Sequence, residues 1–273
     1  MKPNKKAPIG IFDSGIGGLT VAKAVMETLP DEDIIYFGDT ARVPYGIKSV
    51  ETVREYALQI TRFLIKRKVK VVLIACNTVS AAAEFEVTEY CRNKGIPVLG
   101  VVKAGSIAAE KVSHDKKKVG VIGTLATIGS GTYEKALHEL NPDLKIYSKA
   151  CPLLVPLAEE GWTDNDIARQ ILEFYLSDFK NMKLDSLILG CTHYPLFKKS
   201  IREILGNHGL QIVDSAISIA EMTKKLLLEK DLLNDQHPGK LECFVSDKPQ
   251  RFQQLAEQFL GKRINRVEIV SLT

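Results

Sequence analysis

The chain has 273 residues, 45% of them hydrophobic and 26% charged, a globular composition with room for one large domain or two of ordinary size. A formal net charge of +4 is small for this length and argues against a nucleic-acid binder, which concentrates basic residues on one face. No segment approaches the roughly 18 unbroken apolar residues of a membrane span, and five cysteines without tight spacing suggest neither a disulfide framework nor a zinc site.

The basic start runs straight into a globular motif with no apolar stretch of the kind a secretion signal needs, so a reducing, cytoplasmic setting is expected. Ile9 to Phe12 reads as a strand, followed by a glycine turn and a helix through about Leu29. Ile34 to Phe37 is a second strand. An amphipathic helix follows from about Val50 to Lys68, then a strand from Val69 to Ala75 that ends at Cys76. Another helix leads to a fourth strand, Val98 to Val102. The run Lys116, Lys117, Lys118 reads as a solvated loop ahead of the next apolar segment.

The second half repeats this order. Val119 to Ile122 matches Ile9 to Phe12, Leu144 to Tyr147 matches Ile34 to Phe37, Ser186 to Leu189 matches Val71 to Ile74, and Leu210 to Val213 matches Val98 to Val102. Asp13 precedes Cys76 by 63 residues, and its counterpart Gly123 precedes Cys191 by 68. The alternation predicts an α/β fold of two similar, doubly wound α/β domains with mostly parallel sheets, related by a pseudo-twofold axis. Residues 1–103 with 213–273 would form the first, carrying Cys76, and residues 104–212 the second, carrying Cys191. Apolar stretches at Leu241 to Val245 and Val267 to Ser271 lie outside the repeat and are expected to extend one sheet. In open α/β sheets the strand ends face the ligand crevice, which places the candidate site between the two domains.

Four segments fall at those strand ends. Asp13-Ser14-Gly-Ile-Gly-Gly18 opens a helix, where backbone N–H groups can hold an anion; the bland alternative is an N-cap. Asp39-Thr-Ala-Arg42-Val-Pro44-Tyr45-Gly46 can bring backbone amides and a phenol to a ligand, with Arg42 either a carboxylate partner or a solvated turn residue. Thr124-Leu-Ala-Thr127 stands where Asp13-Ser14 stands in the first half. Cys76-Asn77-Thr78 and Cys191-Thr192-His193 carry the most. A lone strand-end cysteine is more often core than catalytic. A repeated one, followed both times by hydrogen-bonding side chains, suits two thiols flanking one small substrate. His193 is close enough to tune its thiol's proton. Glu159 reads as an acid/base aid or a surface charge, Cys91, Cys151 and Cys243 as packing, and Trp162 has no functional case.

The motifs Phe12-Asp13-Ser14-Gly15, Tyr45-Gly46, Ala75-Cys76-Asn77-Thr78 and Gly190-Cys191-Thr192-His193-Tyr194-Pro195 resemble those of the glutamate racemases, across essentially the whole chain. The wider group includes aspartate racemases. The resemblance implies a cofactor-independent, metal-free isomerase that supplies D-glutamate for peptidoglycan synthesis, acting as a homodimer on a small substrate. It assigns the acid/base roles to Cys76 and Cys191, assisted by Asp13, Glu159 and His193. It assigns glutamate binding to Asp13, Ser14, Pro44, Tyr45, Gly46, Asn77, Thr78, Thr124, Thr192 and His193. The short N-terminus leads us to expect no activation by a cell-wall precursor. Two other readings stay open on the residues alone. One is a cysteine hydrolase or acyl transferase with His193 as base; the other is a two-lobed binding protein for a small anion.

Overall fold

The computed structural model describes residues 4–113, 117–206, 209–234, 238–264 and 266–272. Two parallel sheets carry the chain. Its first half runs β1 (Ile9–Asp13), α1 (Leu19–Thr28), β2 (Ile34–Gly38), α2 (Val50–Lys66), β3 (Val71–Ile74), α3 (Asn77–Arg92), β4 (Val98–Gly100) and α4 (Val101–Val112). The next part runs β5 (Lys118–Gly123), α5 (Leu125–Gly129), α6 (Thr132–Leu140), β6 (Lys145–Ala150), α7 (Leu154–Glu159), α8 (Asp166–Leu176), β7 (Ser186–Gly190), α9 (Lys198–Leu205) and β8 (Gln211–Val213). Then come α10 (Ser215–Glu229), β9 (Leu241–Val245), α11 (Pro249–Leu260) and β10 (Val267–Ile269).

The first sheet has the order β10-β9-β2-β1-β3-β4 and the second β6-β5-β7-β8, so the repeated strands occupy the same places in both. Every pairing is parallel. A parallel sheet covered on both faces needs strands that are apolar throughout. β1, β2 and β3 meet this with no exposed residue. Alternate side chains then divide between two layers: Ile11 and Leu73 pack with α1, α10 and α11, while Phe12 and Ile74 pack with α2 and α3. In the second sheet Leu187 and Leu189 face the layer of α7, α8 and α9, and Val119, Val121 and Ile188 face that of α4 and α6. The segments outside the repeat add β9 and β10 to the first sheet, beside β2.

Helix and strand limits moved where packing overrode pattern. Val101 and Val102 read as strand because both are β-branched, but they open α4 directly after Gly100. A Cβ on Gly100 would fall 1.8 Å from Glu84 Oε2 and 2.4 Å from Ser80 Oγ, so any larger residue there would displace the Ser80–Glu84 pair. Lys118 belongs to β5 and Lys117 pairs with Asp143 at 2.7 Å; Lys116 lies outside the described residues. Helix α4 serves both sheets. Its Val101 and Ala104 join the first core, and its Val102 and Ala109 the second, so the division expected after residue 103 falls within one helix.

Candidate active site

Parallel strands deliver the residues that follow them to one edge. β1 ends at Asp13, β3 leads to Cys76, β5 to Thr124 and β7 to Cys191. These ends, from both sheets, enclose a cavity of about 340 Å³. Ser14, Pro44, Tyr45, Gly46, Cys76, Asn77, Thr78, Thr124, Glu159, Cys191, Thr192 and His193 all line it. It is not the largest hollow. A groove of about 530 Å³ between Phe179 and Leu210 is bigger, but among the described residues no thiol, hydroxyl or carboxylate side chain lines it. The chemistry lies in the smaller one.

Cys76 is the N-cap of α3, where the free N–H groups of the helix start lower a thiol's pKa. Burial works the other way and is stronger; with the charge of Asp13 it pushes the thiol up to about 12, while Ser14 and the Val79 N–H counter only in part. The thiol donates to Ser14 Oγ at 3.4 Å. Cys191 stands in a different setting, with its Sγ 3.8 Å from His193 Nδ1. Across the ring, His193 Nε2 is 3.3 Å from Glu159 Oε1, within ion-pair range but out of line for a hydrogen bond. Burial opposes a charge on His193, but the Cys191 sulfur and Glu159 outweigh it and raise the imidazole to about 10. The His193 contact in turn holds the Glu159 carboxyl below its usual range, against the opposing pull of burial. One thiol therefore lies beside a carboxylate and the other beside a cation.

Asp13 does not reach the cavity. It is fully buried behind the glycine turn, where Oδ2 accepts from the Gly15 N–H at 2.9 Å and Oδ1 has no hydrogen-bond partner among the described residues. Burial raises its carboxyl above the ordinary value, with His193 pulling the other way. Its influence on the cavity is electrostatic, felt by Cys76 and His193. The turn also meets the second sheet's loop. A Cβ on Gly17 would lie 2.3 Å from Thr192 Oγ1, and Thr20 Oγ1, bonded to the Gly17 carbonyl at 2.9 Å, is 3.3 Å from the Thr192 carbonyl oxygen.

The Tyr45 phenol is likewise committed. It donates to buried Asp39, so Pro44-Tyr45-Gly46 offers the cavity backbone and ring rather than a hydroxyl. Arg42 does pair with a carboxylate, but with one of the chain's own and outside the cavity lining. Its Nε bonds Asp39 at 2.6 Å, its Nη1 donates to Gln59 at 2.5 Å and its guanidinium stacks 3.9 Å over Tyr56. Desolvated Asp39 needs this cation more than the solvent does.

Three hydroxyls join the sheets. Thr78 Oγ1 is 3.1 Å from Thr124 Oγ1 and 3.3 Å from Thr127 Oγ1, which are 3.0 Å from each other. Asn77 Oδ1 accepts from the Tyr133 phenol at 2.6 Å. The remaining wall is apolar, with Val43, Ile47, Leu125, Pro152, Val155 and Pro156. Sequence reasoning missed these six, because they sit in loops, a single turn or short helices too brief to carry a periodic signal. Among the described residues no Lys or Arg lines the cavity, so they can hold an anion there through neutral donors, helix-start amides and His193. Cys91, Cys151 and Cys243 are buried in the cores, and Trp162 stands half-exposed outside the cavity. Among the described residues, no three His, Cys, Asp or Glu side chains cluster as a metal site would need, and no helix is long and apolar enough to cross a membrane.

The Asp/Glu/hydantoin racemase family matches residues 19–223, which leaves out the turn at Asp13 to Gly18. The chain is 48% identical to the glutamate racemase of Syntrophus aciditrophicus (strain SB), over 97% of this chain and 97% of that one. It is 49% identical to the glutamate racemase of Chlorobaculum tepidum, over 99% of this chain and 98% of the relative. Among solved structures, the glutamate racemase of Francisella tularensis in complex with D-glutamate superposes with a TM-score of 0.91 at 43% identity, covering 98% of both chains.

Proposed function

Because the chain belongs to the Asp/Glu/hydantoin racemase family and is an amino-acid racemase, we propose that it interconverts L- and D-glutamate, with no cofactor, by proton transfer between two thiols. One observation carries the reading: Cys76 and Cys191, each at a strand end of a different sheet, line one cavity. An α-proton removed on one side and replaced on the other inverts the centre. The same reading divides the chain at residues 1–103 with 213–273 and 104–212, sets the protein in the cytoplasm as a homodimer, and assigns its product to peptidoglycan synthesis.

The roles follow from the neighbours. Ser14, Asn77, Thr78, Thr124, Thr192 and the amides at the start of α3 donate to the carboxylates. Fixed donors of this kind stabilise charge as it spreads from the α-carbon into the α-carboxylate, and an enclosed site raises their worth. His193, held by Glu159, balances charge on Cys191. Asp13 and Ser14 adjoin Cys76 and help return its proton. Because the reaction runs both ways, each thiol serves as base in one direction and acid in the other, and the two titrate as a coupled pair.

The test replaces Cys76 and Cys191 by serine in turn and follows optical activity from each enantiomer. Turnover is expected to fall by at least about 10³-fold in both variants, since an alcohol is far less readily ionised than a thiol. Near-normal turnover in either removes the two-base scheme. A second reading draws on one feature, the succession Cys191, His193, Glu159, which resembles a nucleophile, base and acid in order though not in hydrogen-bonding line. It gives Cys76 no task. In deuterium oxide the racemase reading requires label at the α-carbon of recovered glutamate; a hydrolase would instead show an acyl-enzyme by mass spectrometry.

A further inference from the structure

Tyr133 does not line the cavity, yet it grips a side chain that does. It stands on α6 with its ring in the core beside β5 and α4, and the residue is 2% exposed. Its phenol reaches across to the first half, 2.6 Å from Asn77 Oδ1, and lies 3.5 Å from Ser215 Oγ. An asparagine amide has one accepting end and one donating end. With the oxygen occupied by the phenol, the end left to Asn77's cavity face is the NH2.

We propose that Tyr133 is a positioning residue that fixes the Asn77 amide so that it presents a donor to a carboxylate of the bound amino acid. This rests on the reading above that the cavity takes an amino dicarboxylate. Two further observations support it. Asn77 is itself 2% exposed, so a free amide there would leave a polar end unpaired at a cost. And the approach has a counterpart: Thr20 Oγ1 on α1, which donates to the Gly17 carbonyl at 2.9 Å, also lies 3.3 Å from the Thr192 carbonyl oxygen. In each half the residue after the cysteine is approached by a helix that follows the first strand of the other half.

The experiment pairs Tyr133→Phe, which keeps the ring, with Asn77→Ala and the double variant, measured in both directions. Tyr133→Phe is expected to raise KM for each enantiomer about tenfold, with a smaller change in kcat. Asn77→Ala loses more, and adding Tyr133→Phe to it costs nothing further, because the phenol then has no amide to orient. A merely structural phenol would instead cost the same factor in both backgrounds, and that result overturns the proposal. Asn77→Asp covers the case in which Tyr133→Phe does not fold. It keeps an acceptor for the phenol but turns an oxygen to the cavity, so it must lose at least as much affinity as Asn77→Ala; wild-type KM in Asn77→Asp also overturns the proposal. Calorimetry with glutamate separates the failures. A wild-type protein that neither binds nor racemises glutamate sinks the functional reading and this one with it, whereas normal wild-type behaviour with unchanged variants sinks this one alone.

Discussion

Adding one methyl group at Gly17 should disable the Cys191 side of the cavity without touching a reacting group. A Cβ there falls 2.3 Å from Thr192 Oγ1, 2.6 Å from His193 Cε1 and 2.7 Å from His193 Nδ1. Ordinary carbon contacts are about 3.5 Å, so Thr192 and His193 must withdraw by about 1 Å. A displacement of that size beside the chemistry costs roughly 10²-fold in turnover. Overpacking costs about 1–3 kcal/mol in stability, which lowers Tm by roughly 2–12 °C in a chain of this size. The assay is Gly17→Ala followed by optical rotation from each enantiomer, with thermal melting alongside. Gly129→Ala is the control, since a Cβ there meets nothing within 4 Å. Turnover within about threefold of wild type, with Tm unchanged, would refute the idea that this close approach sets the Thr192-His193 loop.

Other outcomes follow from the electrostatics. His193 has a pKa raised from 6.5 to about 10, so the stability it contributes is complete below about pH 6.5 and is lost as pH rises through 10. Melting between pH 7 and 10 should therefore fall more steeply for wild type than for His193→Gln; equal slopes would count against the charged His193–Glu159 pair. Lys70 and Glu32 form an ion pair with side chains 0% and 1% exposed, and Lys70 Nζ also donates to the Lys5 and Leu232 carbonyls at 2.7 and 2.8 Å. Lys70→Met leaves a buried carboxylate uncompensated and should cost about 3–5 kcal/mol in urea unfolding. A loss under about 1 kcal/mol would mean water reaches Glu32.

The repeat was legible because strand order is written in apolar runs separated by turns, and both sheets kept that order. The thiols were legible because each ends such a run. What the sequence hid depends on partners far along the chain. Arg42 looked free because Asp39, three residues away, reads as a turn acid until Ser246 and Tyr45 are seen to close over it. Asp13 looked like a ligand contact because nothing local reveals that the turn covers it. The Tyr133–Asn77 bond spans 56 residues and two sheets, so no spacing rule reaches it. The blurred strand ends at Val101 and Val102 have a plainer cause: β-branched residues fit strands and buried helix faces alike.

The supply of one sulfur from each sheet has a consequence for what half of such a molecule could do. On the proposed chemistry, a lone half would exchange the substrate's hydrogen with water and hand it back on the side from which it came. Isotope would wash in, and handedness would survive. Changing the configuration needs both halves held together around the same carbon, so the duplicated architecture is itself part of the reagent.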